Sequence, residues 1–227
     1  MANTHSLTSL LTGIYSATNT QQLFPISINW QQGNYLAALI QQHNPRAVLE
    51  LGSGFGLSSI WIQSALSSRS SHTAVDPWAE HLPKIRAALS KRHYKLITAY
   101  TSQEYLARNL STLNEKIDFI FMDADNRFDG CLTDCYFANQ ILKTNGILVI
   151  RNCWNPSVRR VCQFMLTNLP YHLVGVPSWI NWLIKHMPTH GMGWLLYHTT
   201  LRYSAEFCVL KKTATDNRKW NHFATFC

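Results

Sequence analysis

The sequence predicts an α/β fold: a doubly wound, mostly parallel sheet of seven strands, closed by an antiparallel pair at its C-terminal end. Three observations predict it. Through most of the chain, short apolar runs alternate with segments whose apolar residues recur at helical spacing. The first of these runs, Val48-Leu49-Glu50-Leu51, leads into a loop with glycine at positions 52, 54 and 56. A helical pattern leaves that loop with Leu57, Ile60, Trp61 and Ala65 on one face. After residue 170 the alternation lapses, and residues 171–176 and 206–210 each read as strands.

Each element follows from local pattern. Residues 1–22 are a polar lead-in with a short helix expected around 7–15. Phe24 precedes Pro25, which favours extended backbone. A helix over about 30–43 turns Leu36, Leu39 and Ile40 inward. Strand one covers 47–51 and its helix runs from about 57 to 67. Strand two is 73–76, a helix over about 81–91 buries Leu82, Ile85 and Leu89, and strand three is 94–99. Ser102 is placed to cap a helix bearing Leu106, Leu110 and Leu113. Strand four, 117–123, is apolar almost throughout, as a central parallel strand buried on both faces should be. The helix over 129–142 places Leu132, Cys135, Asn139 and Leu142 on one face and ends at Asn145-Gly146. Strand five is 147–150. Asn155-Pro156 opens another helix, with asparagine as N-cap and proline at its first position.

The expected organisation is an N-terminal arm over 1–25, one domain over 26–212 and a tail over 213–227. Inside the domain, 177–203 reads as an insertion rich in Trp, His, Met and Gly. Trp179, Trp182, Trp194, His186, His190 and His198 suit the wall or lid of a pocket, and equally an edge segment or a subunit interface.

Composition narrows the class. A hydrophobic content of 46% over 227 residues excludes a disordered chain. The six cysteines contain no C-x-x-C pair and no zinc spacing, and packing explains Cys131 and Cys135. No export signal and no apolar run of about 18 residues is apparent, so a cytoplasmic protein without a transmembrane segment is expected. Residues 1–45 contain no Asp, Glu, Lys or Arg. Their apolar residues (Leu7, Leu10, Leu11, Ile14, Tyr15 and Phe24) suit cover by a second subunit, so a homodimer is expected. The net charge of +8 is uneven: residues 46–150 hold 11 basic and 10 acidic residues, and residues 151–227 hold 9 and 2. That basic third suits an anionic partner or simple solubility.

The glycine loop carries the chemistry. Glycine there permits unusual backbone angles and close approach of a ligand to the main chain. A dinucleotide loop is spaced G-x-G-x-x-G, whereas this one is G-x-G-x-G with Glu50 two residues before it. A carboxylate there repels a pyrophosphate and suits a cationic ligand with hydroxyls, such as S-adenosylmethionine. Asp76, twenty residues after Gly56 at the tip of strand two, is placed for ribose hydroxyls. At the same edge, strand four delivers Asp123, Asp125 and Asn126, and strand five is followed by Arg151-Asn152-Cys153-Trp154.

Glu50-x-Gly52-x-Gly54-x-Gly56 followed by Asp76 resembles the first two motifs of class I S-adenosylmethionine-dependent methyltransferases. The resemblance continues through Ser102-Gln103-Glu104, Phe121-Met122-Asp123-Ala124-Asp125 and Asn145-Gly146-Ile147-Leu148-Val149-Ile150. It covers about residues 26–176 and is nearest to small-molecule O-methyltransferases of the catechol type and their metal-independent relatives. It implies a Rossmann-like sheet, S-adenosyl-L-methionine as cofactor, and methyl transfer to a small hydroxyl-bearing molecule. The cofactor residues it implies are Glu50, Gly52, Ser53, Gly54, Gly56, Ser58, Asp76, Pro77, Trp78, Ser102, Gln103 and Asp123. Catalysis falls to Asp123, Asp125, Asn126 and Arg151, and the substrate pocket to Asn152, Trp154, Trp179, Trp182 and His190. In the family, a segment matching Ser27, Gly33 and Leu36 lies on a helix that often covers the cofactor.

The chain departs from that family at two positions. Relatives often carry a histidine base where Asn126 stands and an acid where Asn152 stands. Metal-dependent members hold a divalent ion with Asp123 and that acid. Here both are amides, and Arg151 adds a positive charge, so transfer without a metal is expected. Asp134 matches a family acid with a structural role. Two alternatives stay open. The basic, aromatic C-terminal third suits an RNA methyltransferase, although neither an Asn/Asp-Pro-Pro-Tyr motif nor a Pro-Cys pair is present. The two amide replacements suit a cofactor-binding fold without turnover.

Overall fold

A computed structural model describes residues 4–16, 27–186, 207–222 and 224. Phe24-Pro25, His190, Trp194, His198 and Cys227 lie outside the described residues. The chain divides into two compact units, Met1–Ser102 and Gln103–Cys227. The strands of the first unit are ordered β3-β2-β1 and those of the second β4-β5-β7-β6.

The first unit holds α1 (Thr4–Ser16), α2 (Trp30–His43), β1 (Ala47–Leu51), α3 (Leu57–Ala65), β2 (Ser71–Val75), α4 (Pro83–Leu89) and β3 (Tyr94–Ile97). Its three strands are parallel, with Val48 opposite His72 and Ala74 opposite Leu96. Val48, Leu49, Leu51, Ala74 and Val75 of the strands and Leu36, Ile40, Ile60 and Ile85 of the helices are all buried. α2 starts where the sequence dictates. Asn29 accepts from the Gln32 main chain and the Gln32 side chain returns a bond to Asn29 N, a reciprocal cap. Gly33 is required beyond that cap, because a β-carbon there would overlap the indole of Trp61.

α1 lies within the predicted arm, and its apolar residues are partly covered by its own unit, with Leu10, Ile14 and Tyr15 half-buried. Leu7 and Leu11 are buried. Tyr15 donates its hydroxyl hydrogen to Ile28 O (2.7 Å) and accepts from Trp61 Nε1 (3.2 Å). The Trp30 ring meets those of Tyr15 and Trp61 edge to face, with centroids 5.4 and 5.0 Å apart, and the Tyr15 and Trp61 rings are tilted at 6.4 Å.

The second unit holds most of α5 (Ser102–Leu113), then β4 (Ile117–Met122), α6 (Phe128–Ile141), β5 (Leu142–Ile150), α7 (Pro156–Asn168), β6 (Tyr171–Leu173), α8 (Ser178–His186) and β7 (Cys208–Lys212). β4 and β5 are parallel; β7 runs antiparallel to both β5 and β6. The expected closing pair is therefore present, shifted by two residues at β7. Asn155 caps α7 by accepting from Ser157 N, with Pro156 at the first position as expected.

Several boundaries differ from expectation; β3 ends at Ile97, α4 spans Pro83–Leu89 and β6 ends at Leu173. α6 ends at Ile141 and passes directly into β5, so Asn145-Gly146 does not terminate a helix. That pair lies inside β5, where Asn145 takes φ of 69° and the register against β4 shifts between Ile117 and Phe119. An Asn-Gly pair serves a bulge as readily as a helix end, because both need left-handed backbone. β2 begins two residues earlier than the apolar run, since the exposed Ser71 and buried His72 hide its start. Ser102 is the first residue of α5 and not its cap. The segment read as an irregular insertion contains the helix α8, which presents Trp179 and Trp182 to solvent while Asn181 pairs with the main chain of Leu173.

Lys212 explains how a helix can run into a strand without a turn. Its buried ammonium donates to the carbonyls of Asn139 (2.6 Å) and Leu142 (2.8 Å), which the end of α6 leaves unpaired. Five cysteines, 131, 135, 153, 162 and 208, are free and buried, and burial pushes the thiols of Cys153 and Cys162 up. No helix among the described residues is long and apolar enough to cross a membrane.

Candidate active site

β1 ends at Leu51 and the chain turns through Gly52, Gly54 and Gly56, with φ of 82°, 48° and 86°. All three lie in the left-handed region that disfavours side chains, which is why the sequence spends glycine there. At Gly56 space adds a second requirement: a β-carbon would stand 2.8 Å from Ile85 Cγ2 and 3.0 Å from His81 Cδ2. Gly56 is also the N-cap of α3, so the loop delivers the helix N-terminus, with Ser58 buried in its first turn.

Asp76 fixes this loop. Its Oδ2 accepts from Ser53 N (2.9 Å) and Gly54 N (2.7 Å), and its Oδ1 accepts from Trp78 N (2.9 Å). Gly52 N donates to Val75 O, Glu80 N to Gly54 O and Leu82 N to Phe55 O. The turn after β2 thus braces the turn after β1. Pro77 is half-buried in that turn and Trp78 is 77% exposed. A carboxylate offers about four acceptor sites, so three main-chain donors leave Asp76 one for a ligand hydroxyl.

Glu50 is placed differently from a simple ligand-facing acid. It is fully enclosed, accepts from Ser59 Oγ (2.6 Å) and lies 3.0 Å from His72 Nε2. Its Oε1 has no hydrogen-bond partner. Ser59 Oγ is 3.2 Å from the Tyr94 hydroxyl. Beyond it, His81 Nε2 lies 3.5 Å from that hydroxyl and 3.1 Å from Ser53 Oγ. Burial lowers the His81 pKa, against the opposing pull of Glu50 and Asp76. Ser59, His72, His81 and Tyr94 were not among the expected site residues. Only the strand register reveals one of them: His72 pairs with Val48, so it shares a face with Glu50 two residues on.

In the second unit, the tips of β4 and β5 gather a separate cluster. Arg151 NH1 donates to Asp123 Oδ2 (2.8 Å), and Asn152 Nδ2 donates to Asp123 Oδ1 (3.0 Å) and to Asn126 Oδ1 (3.0 Å). The Asp123 and Arg151 side chains are 12% and 7% exposed. Asn152 takes φ of 61°, which turns its amide back onto Asp123 and Asn126. Asp125 stands apart: it pairs with the exposed Arg127, whose guanidinium and main-chain N–H hold its carboxyl below the usual range. Gly130 is needed beside it, because a β-carbon there would overlap the Asp125 carboxylate. Trp154 is 63% exposed. Gln103 donates to Gly130 O (3.4 Å), and Ser102 is buried at the start of α5. Asp134 is completely buried on α6, in keeping with a structural role.

Residues 49–153 match the family described as "Methyltransferase domain". The matched stretch, just under half of the chain, holds the glycine loop, Asp76, Asp123 and Arg151. No curated protein matches it in sequence. Solved structures match in fold. A methyltransferase from Geobacter sulfurreducens is 17% identical, with a TM-score of 0.60 over 92% of this chain and 89% of that one. The O-methyltransferase from Bacillus cereus, solved in complex with SAH, is 18% identical, with a TM-score of 0.56 over 77% and 83%. TomG, an O-methyltransferase from Streptomyces achromogenes involved in tomaymycin synthesis and solved in complex with SAM, is 16% identical, with a TM-score of 0.52 over 90% and 89%. At these identities the likeness concerns the fold.

Proposed function

We propose that the protein transfers a methyl group from S-adenosyl-L-methionine to a small hydroxyl-bearing molecule, without a metal ion. The observation that carries the reading is the glycine loop, with three positive-φ glycines and with the amides of Ser53 and Gly54 drawn together by Asp76. Its residues fit the cofactor. Asp76 retains an acceptor site for a ribose hydroxyl, and the exposed indole of Trp78 is available to stack on an adenine. The enclosed Glu50 leaves one carboxylate oxygen without a partner, so the ground beneath the loop is electronegative and favours a cationic ligand over a phosphate.

When bound, the cofactor supplies an electrophilic methyl group on a sulfonium with a good leaving group. The chain's own part is to orient, exclude water and manage charge. Arg151 stabilises an acceptor in its oxyanion form, which lessens the need for a base. Asn126 and Asn152 hold Asp123 and each other, and thereby fix the edge on which the acceptor lies. The Arg151 guanidinium also supports metal independence. A dication about 4 Å from a unit positive charge meets about 8 kcal/mol of repulsion at an effective dielectric near 20. That exceeds the roughly 4 kcal/mol of a millimolar site. Activity surviving EDTA fits this reading; activity lost to EDTA and restored by magnesium refutes it.

Isothermal titration with S-adenosylhomocysteine tests the cofactor directly, and no binding at millimolar ligand sinks the proposal. The engagement of Asp123 by both Arg151 and Asn152 favours one second reading, a cofactor-binding fold without turnover. Methylation of any phenol, hydroxy acid or carboxylate in a broad panel excludes it.

A further inference from the structure

Three cysteines far apart in sequence meet at the end of β5. Cys208, the first residue of β7, stands opposite Ile150, the last of β5. Cys153 follows in the turn after β5 and donates its thiol hydrogen back to the Ile150 carbonyl (3.0 Å). Cys162, buried on α7, brings its Sγ to 3.8 Å from that of Cys153. All three sulfurs lie within 4.8 Å of one another, and none of the three residues is more than 1% exposed. A single buried cysteine serves as a small apolar residue wherever packing asks for one. Three sulfurs from a turn, a helix and a strand form a narrower arrangement, a triangle of soft donors. A metal–sulfur bond of about 2.3 Å puts the sulfurs of a planar three-coordinate set about 4.0 Å apart. The triangle therefore needs little adjustment to surround an ion.

The donor set selects the ion. Hard cations such as magnesium and calcium require oxygen ligands. Thiolates select soft metals, among them zinc and Cu(I). Zinc closes a structural site with four protein ligands, or keeps a water beside three. Among the described residues no fourth His, Cys, Asp or Glu joins the group, and its burial keeps water out. We propose that Cys153, Cys162 and Cys208 form a three-sulfur site for Cu(I). The site lies apart from the residues assigned to the cofactor and the acceptor, and it does not rest on the methyltransferase reading. Without the ion, burial holds the thiols of Cys153 and Cys162 in their protonated form. On binding, two thiol hydrogens pass to solvent, and two thiolates and one thiol face the ion. The site then carries a single net negative charge, and no electron moves. Affinity should rise with pH, because hydrogens leave. Entry is by the turn after β5: Asn152 and Trp154, on either side of Cys153, both reach solvent, so opening that turn uncovers the first sulfur.

The test titrates the full, reduced chain with Cu(I) under anaerobic conditions. The ion is supplied as its acetonitrile complex, with bicinchoninate as competing chelator. The wild-type protein should withdraw a single Cu(I) from the chelator and develop thiolate-to-copper absorption in the near ultraviolet. X-ray absorption should report three sulfur neighbours and no nitrogen or oxygen, and the bound ion should raise the melting temperature. Cys153→Ala, Cys162→Ala and Cys208→Ala should each lose the ion, whereas Cys131→Ala and Cys227→Ser should keep it. Melts of the metal-free variants separate a lost ligand from a lost fold. Where a variant does not fold, maleimide labelling of the wild type in mild denaturant decides, read by mass spectrometry: Cu(I) should protect Cys153, Cys162 and Cys208 and leave Cys131 as reactive as before. A wild-type chain that withdraws no Cu(I) overturns the proposal. So does copper retained by a folded Cys162→Ala, copper lost from Cys131→Ala or Cys227→Ser, a nitrogen or oxygen neighbour at the ion, or labelling of the three cysteines that Cu(I) leaves unchanged.

Discussion

The two units treat their charged residues in opposite ways. In the first, acids are sunk beneath the main chain. Glu50 and Asp76 are buried, and their bonds run to backbone amides, hydroxyls and histidines. In the second, acids at the strand tips pair with cations of the same unit, Asp123 with Arg151 and Asp125 with Arg127. A carboxylate that gathers main-chain N–H groups shapes a loop and leaves the loop to meet the ligand. A carboxylate neutralised by an arginine shapes nothing beyond its neighbour and sets local charge. The first arrangement suits a ligand met in one fixed pose, and the second an acceptor whose charge must be matched.

The sharpest way to break the contrast is at Gly56. Gly56→Val places a branched side chain at φ of 86° and against Ile85. The strain and crowding should cost about 2–4 kcal/mol of stability in denaturant unfolding. Affinity for S-adenosylhomocysteine should fall more than about 100-fold, because each kcal/mol spent re-forming the loop is subtracted from binding. Retained affinity would separate the loop from cofactor binding.

In the second unit, Arg151→Met keeps the length of the side chain and removes its charge. Turnover should fall about 100-fold, the usual scale for one lost group at a developing charge. Cofactor affinity should change by less than about 3-fold if the units divide the work as proposed here. An equal loss in both would place Arg151 with the cofactor. Asp76→Ala probes the first unit by its main-chain bonds. Ser53, Gly54 and Trp78 lose their common acceptor, which should cost about 1–3 kcal/mol of stability. Cofactor affinity should fall with it, at least 10-fold by titration.

Much of this arrangement was legible in the sequence, and unevenly. The glycine loop was readable because left-handed backbone admits few residue types, so three glycines in five positions say where the chain must turn. Asp76 was readable as a ligand group from its place at a strand tip. That its carboxylate also gathers two loop amides was not, because those partners lie 22 and 23 residues away in sequence. Asn145-Gly146 was misread for a physical reason: left-handed backbone ends helices and makes bulges alike, and the groups that satisfy the end of α6, Glu115 N and the buried Lys212, lie far from it in sequence. The polar set under the loop went unseen because serine, histidine and tyrosine at 59, 72, 81 and 94 carry no common spacing. They meet through strand register and the fold of α4, which a linear pattern does not encode. The substitutions at Asn126 and Asn152 were visible at once, whereas their bonding to Asp123 and to each other required the turn at Asn152.

The mildest test concerns pH and the same buried histidine. Burial is the main cause of the lowered His81 pKa, with Arg86 and His72 adding to it and Glu50 and Asp76 opposing. In the unfolded chain the residue titrates near its ordinary value of about 6.5. The sign follows from proton binding. A group whose folded pKa is depressed binds fewer protons in the folded state, so its contribution is fully present above about 6.5. It declines as pH falls from there towards the folded pKa. Wild-type stability should thus drop between about pH 6.5 and 5 with a slope of at most about 1.4 kcal/mol per pH unit from this group. His81→Gln cannot take up the proton and should flatten that part of the profile. Other groups titrate in the same window, so the readout is the difference between the two stability curves and not either curve alone. A His81→Gln curve parallel to the wild type across that range would mean that His81 is as easily protonated in the folded protein as in the unfolded chain. The space under the loop would then be wetter than its enclosed carboxylate implies.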